Sequence, residues 1–164
     1  MATGDLIPNT PIQSEPLQKH RWILRFPSKI GLHEFQLASA ARPNWTIDEV
    51  KIPFLNQEQY VAGKYKFETM SVSLVDYIGP STTQAAIEWI RTCAEETTGR
   101  MGYAAGYMND LELEILDPTG VCVQKWILKD AFITQYKGGS LDYESGGLLK
   151  VELTIRYSRA VLLF

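Results

Sequence analysis

Between Ala41 and Asp76 the chain reads ARPNWTIDEVKIPFLNQEQYVAGKYKFETMSVSLVD, two extended runs joined through a polar turn. The run returning from that turn is longer than the usual strand of a small domain. A hairpin of this reach cannot bury both faces inside a body of 164 residues, so part of it must serve something outside the subunit. That points to assembly ahead of catalysis. Pro53 has no N–H to give to a ladder, so the outgoing limb is an edge or is locally unpaired. In the returning limb Tyr65 and Phe67 fall on odd positions, whereas Met70, Val72 and Leu74 fall on even ones. Strand side chains alternate with period two, so the buried face switches near Glu68-Thr69. Either a bulge lies there, or the strand leaves one environment and enters another.

The rest of the chain suits one domain over 1–164. It is 45% hydrophobic and 21% charged, with a formal charge of -3. A free nucleic-acid binder normally carries a basic excess, so any contact with DNA is expected to be non-adhesive. Residues 1–18, with Pro8, Pro11 and Pro16, predict an extended N-terminal arm. That segment has neither a basic n-region nor an apolar h-region, so no signal peptide is expected. No apolar run approaches the ~18–20 residues that span a bilayer, and no stable membrane association is expected.

Strands are predicted over 20–26, 32–38, 110–116, 121–128 and 130–136, with a hairpin arm over 45–67. The last strand has the cleanest pattern: Leu149, Val151, Leu153, Ile155 and Tyr157 face one way, and Lys150, Glu152, Thr154 and Arg156 the other. One helix is predicted over 82–98, opened by a Ser81/Gln84 capping box and stopped at Gly99, with an Arg91/Glu95 pair on its surface. Its apolar stripe takes in Ala86, Ile87, Ile90, Cys93, Ala94 and Thr97. The tail 160–164 is apolar and is expected to dock. Many strands, one helix and no βαβ alternation predict a mainly β fold: an antiparallel barrel or sandwich with one flanking helix and a long hairpin arm.

No catalytic constellation emerges, and no cofactor or metal is expected. His20 and His33 are the only histidines, and there is no HxxxH or CxxC spacing. Cys93 sits on the helix stripe and Cys122 between valines, where a buried small hydrophobe is the commoner reading. The pair Glu112 and Glu114 shares a strand face, most simply a solvated one. Lys137-Gly138-Gly139-Ser140 lacks the phosphate-loop pattern, and Gly102 to Tyr107 is not GxGxxG.

The run Lys51 to Asn56, then Tyr60 to Phe67, then Met70 to Leu74, resembles the tail tube proteins of contractile-tailed bacteriophages. So do the helix after Pro80, the hairpin that follows it and the terminal strand. The resemblance covers roughly residues 20–160. It implies hexameric rings whose sheets join into one continuous barrel, stacked into a tube inside a sheath. Implied partners are further copies of the chain, the tail sheath protein, baseplate and tail-terminator proteins and the tape-measure protein, with transient non-specific passage of DNA. The location implied is the virion tail, assembled in the host cytoplasm. A baseplate tube initiator, or the inner tube of a contractile secretion or injection system carrying protein cargo, would share the fold. On this resemblance the ring-stacking residues are Pro53, Phe54, Leu55, Asn56, Gln57, Tyr60, Val61 and Lys64, helped by the N-terminal arm and the tail after Arg159. The lumen-facing candidates are Glu68, Glu112, Glu114, Glu152 and Thr154, since a polar, acidic wall would repel phosphates.

Overall fold

The alternation at the end of the chain becomes the centre of a sheet. In the computed structural model, which describes residues 16–164, Val151, Leu153 and Ile155 are buried. The elements are β1 (Trp22–Arg25), short 3-10 turns at Ser28–Ile30 and Glu34–Gln36, β2 (Leu37–Ala40), β3 (Trp45–Phe54) and β4 (Gln57–Phe67). They continue with β5 (Met70–Val75), α1 (Thr82–Cys93), α2 (Ala104–Tyr107), β6 (Asn109–Leu116), β7 (Cys122–Gly138), β8 (Lys150–Arg156) and β9 (Arg159–Leu162). The N-terminal arm expected over 1–18 lies, as far as residue 15, outside the described residues.

The strand order is β1-β6-β7-β8-β5-β2, with β9 also on β7 and every pair antiparallel. Two layers result, because β7 belongs to both. Its first half pairs with β6 and β9, and its second half with β8. The predicted strands 121–128 and 130–136 are therefore one strand of 17 residues. The corner is Asp130, whose φ of 55° lies in the left-handed region. A short acceptor side chain tolerates that region better than a branched one. The Asp130 N–H donates to Asp110 Oδ1 at 3.2 Å, which pins the corner to β6.

Between the layers lies one buried cluster. Leu24, Leu111, Leu113, Trp126 and Leu128 come from the β1/β6/β7 layer, and Met70, Val72, Leu74, Val151, Leu153 and Ile155 from the β2/β5/β8 layer. Burying each of these side chains is worth about 1.5–3 kcal/mol relative to leaving it in water. Among the described residues β1 and β2 do not pair with each other, so no closed barrel forms. The architecture is an open antiparallel sandwich with a flanking helix. The C-terminal tail docks as β9, and the Leu163 N–H donates to Lys125 O at 2.8 Å.

The helix differs from its sequence reading at both ends. Ser81 Oγ accepts the Gln84 N–H at 3.3 Å, but the Gln84 side chain turns to Glu88, so only half of the capping box is made. Asp76 supplies the rest, accepting the N–H groups of Thr82 and Thr83 at 3.0 and 3.2 Å. Burial works against its charge, yet the hydroxyl and N–H donors of Thr83 hold the Asp76 carboxyl below its usual range. The helix stops at Cys93, short of residue 98, because Ala94 turns extended and bridges Met101. Its buried face is Thr82, Ala85, Ala86 and Trp89. Ile90 and Cys93 are only half-buried, and Arg91 pairs with Glu96 in place of Glu95.

Candidate assembly surfaces

The arm stands off the body as β3 and β4, which form a sheet of their own. All its residues are exposed except Gly63 and Phe67, which are half-buried. An isolated two-stranded hairpin is marginal in water. This one is held at its root by an aromatic cluster: Trp45 meets Trp126 at 6.0 Å and Phe67 at 6.2 Å, and Phe67 meets Tyr157 at 5.8 Å. The Tyr157 hydroxyl donates to Asn44 O at 3.3 Å, and burial pushes that phenol up. Further out, ion pairs join Lys66 to Asp48 at 2.8 Å and Lys51 to Glu58.

The arm changes face part-way along. Register moves by one residue between Ile47↔Tyr65 and Glu49↔Ala62, leaving Gly63 and Lys64 opposite Asp48. Glycine is required there, because a Cβ at Gly63 would lie 2.9 Å from the Asp48 carbonyl oxygen. Near the root Trp45, Ile47, Tyr65 and Phe67 share one face; beyond the bulge Val50, Ile52, Phe54 and Val61 share the other. Both directions thus present apolar surface to water. The tip is a two-residue loop, Leu55-Asn56, and Leu55 has φ 51° while 90% exposed. A leucine in the left-handed region, pointing into solvent, is a doubly unfavourable choice.

The face switch read from the sequence at Glu68-Thr69 is the gap between β4 and β5, where the chain passes from the arm into the sandwich. The bulge at Gly63 gave no sequence-level sign beyond the glycine itself. All eight stacking candidates, from Pro53 to Lys64, lie on the exposed part of the arm.

The five lumen candidates do not share a surface. Glu152 and Thr154 lie on the outer face of the β2/β5/β8 layer with Ser39, Ser71, Ser73, Gln135 and Lys137. Glu68 is exposed at the arm root. Glu112 and Glu114 lie on the outer face of the opposite layer and are not a free acidic pair. Glu114 is only 8% exposed, 3.2 Å from Arg25 and 3.1 Å from Lys125, and Lys125 also reaches Glu112 at 2.7 Å. The solvated-face reading of Glu114 is corrected: Lys125 of β7 lies directly across from it, and Arg25 of β1, which faces Glu112, reaches it on the diagonal.

Burial would raise the Glu114 carboxyl, but the bonds from Lys125 and Arg25 outweigh it and hold it low. A depressed folded-state value stabilises above the ordinary 4.5 and is lost as pH falls through the folded value. Glu114→Gln should therefore cost about 1 kcal/mol near neutrality and flatten the acid limb of the stability curve, after discounting for the exposed Arg25. Urea titrations at neutral pH and near pH ~3.5 measure both effects; an unchanged acid limb would show that the trio contributes nothing.

No family model matches the sequence, and no curated protein matches it either. Solved structures do match. A chain of the cryo-EM structure of the anti-feeding prophage cap, a tube-terminating cap, superposes with a TM-score of 0.72 at 16% identity, covering 91% of each chain. A chain of the sheath/tube terminator of the extracellular contractile injection system PVC, in its extended state, gives 0.71 at 14% identity, covering 93% of this chain and 99% of that one. The PVC sheath-tube complex gives 0.70 at 14%, covering 90% of each. This is the contractile-tail tube fold.

Within the tube fold the arm is the appendage, and the β2/β5/β8 layer with the second half of β7 is a four-stranded sheet with two open edges. Among the described residues β2 pairs only with β5, and beyond Phe132 the strand β7 pairs only with β8. No cluster of three or more His, Cys, Asp or Glu that could hold a metal occurs among them, and Cys93 and Cys122 are half-buried free thiols.

Proposed function

We propose that this chain is a structural subunit of a contractile-tail tube, built as hexameric rings that stack into a filament. The arm carries the reading, since it exposes Val50, Ile52, Phe54, Leu55 and Val61 to water with nothing among the described residues to cover them. Monomers rarely leave such a contiguous apolar surface open. Ring closure would join the β2 edge of one copy to the β7 edge of the next, which removes two templates for uncontrolled pairing. Stacking through Pro53, Phe54, Leu55, Asn56, Gln57, Tyr60, Val61 and Lys64 would then extend the rings without closing. On this reading the chain works inside an assembled tail or injection particle, against sheath, baseplate, terminator and tape-measure partners.

The charge on the candidate lumen face bears on what passes through. In place of an acidic wall, Glu152 shares its face with Lys137, Lys150 and Arg156. Three cations against one carboxylate would hold phosphates back, so the injection-system reading, with protein cargo, is favoured over DNA conduction. Glu112 and Glu114, being paired with Lys125 and Arg25, add no free acidic charge to that argument.

Electron microscopy of the purified full chain over a concentration series tests the proposal. Rings with six-fold averages, stacking into tubes as concentration rises, are the expected result. A folded monomer at all concentrations would overturn it.

A further inference from the structure

Resting on the stacking reading, the geometry points to the surface that receives the arm. We propose that it is the opposite end of the same sandwich, formed by Phe35, Tyr77, Ile78, Leu141, Tyr143 and Leu148, and that its occupant is the arm of a second copy of this chain. Topology separates the two ends. The arm leaves after β2 ends at Ala40 and returns where β5 starts at Met70, level with Ile155 of β8. The other end holds the start of β2, the end of β5, the start of β8 and the end of β7. Six residues of strand put roughly 20 Å between them.

The receiving end is a fixed platform. Gln36 is fully buried, and its Nε2 donates to Pro80 O at 3.0 Å while its Oε1 accepts the His33 N–H at 2.9 Å. The first bond locks the turn bearing Phe35 to the loop that follows Tyr77 and Ile78, and the second closes the turn on itself. The rings of Phe35 and Tyr77 meet edge-on at 5.4 Å. The Asp76 N–H donates to Leu149 O at 2.9 Å, which ties the last residue of the β7–β8 loop to the end of β5. Ile78 stands fully exposed on these tied segments, and on the β7–β8 loop Tyr143 is fully exposed and Leu141 is 85% exposed. Rigid support under exposed apolar side chains is the arrangement of a docking surface.

Charge selects the occupant. On the arm Lys64 and Glu49 make no ion pair among the described residues; at the receiving end neither Asp142, Glu144 nor Lys150 makes one. Lys64 complements Asp142 and Glu144. Donor and acceptor surfaces on opposite ends of one molecule make a head-to-tail contact, which propagates.

The test uses two full-length variants, an arm variant F54D/L55D and a receiver variant I78D/Y143D, each checked for an unchanged thermal melt. Each alone should need at least about tenfold more protein to stack than the parent, the loss expected when interface anchors are replaced by charge. Mixed one to one, they retain one intact arm and one intact receiver, so electron microscopy and sedimentation should show pairs of rings and nothing longer. If the receiver variant stacks like the parent while the arm variant does not, the receiving surface is wrong and the stacking reading stands. If the arm variant stacks normally, the stacking reading itself falls. If both fail alone and the mixture forms no pairs, the two surfaces do not meet. Charge reversal checks the same contact on a chain with an untouched apolar platform: K64E should weaken stacking, and adding E144K should restore it; no restoration counts against the proposal.

Discussion

Removal of residues 54–62 is expected to leave a folded subunit that forms no tubes at any concentration reached by the parent chain. The deleted segment is exposed throughout and contributes nothing to the buried cluster, to which the arm gives only the partly buried Phe67 at its root. The melting temperature should therefore move by no more than a few degrees, in keeping with substitutions away from the core. Circular dichroism during heating and electron microscopy of the same sample separate the two effects. Normal tubes from the deletant would sink the stacking role of the arm. A single substitution sharpens the result. Leu55→Gly relieves a backbone conformation that costs a non-glycine residue about 1–2 kcal/mol, so it should firm the tip of the free hairpin while weakening stacking. Opposite signs at one residue would show that Leu55 is retained for its side chain.

The second large effect lies in the core. Leu153 is fully buried on β8, between Val72 of β5 and Tyr136 of β7. Leu153→Ala should cost about 2–5 kcal/mol, the transfer loss plus the cavity left behind. At roughly 2–4 °C per kcal/mol for a chain of this size, the melt should drop by about 5–20 °C. Below that melt, stacking should survive, because the arm and its proposed receiver are untouched. Chemical denaturation and microscopy at one temperature check both halves. A loss under about 1 kcal/mol would mean that the β2/β5/β8 layer closes over the gap more easily than a packed interior does.

How much of this was legible in the sequence depended on how local the cause was. The alternation of β8, the break at Glu68-Thr69 and the reach of the arm all follow from period-two patterning within one segment, and all three can be read directly. Asp130 and Leu55 could not be read, because positive φ at a non-glycine residue is set by the strands on either side. The pairing of Glu114 depends on Arg25, 89 positions away. Trp89 packs in the core on the Thr82, Ala85 and Ala86 face, one position round from the stripe read in the sequence, with its Nε1 donating to Tyr107 O at 2.9 Å. The receiving platform is assembled from three separate loops. Its cue was present in the unexplained apolar residues of those loops, but nothing in one segment says that they meet.

The half-turn at Asp48 and Gly63 has a mechanical consequence. A hairpin with one apolar face can be peeled away by a force from one side, as tape is lifted from a bench. This hairpin turns its root outward in one direction and its far half in the other, so no single lifting direction opens both contacts. It behaves as a rivet set through two plates. In the proposed stack, a column held by such rivets would resist loss of subunits from its middle and come apart from its ends.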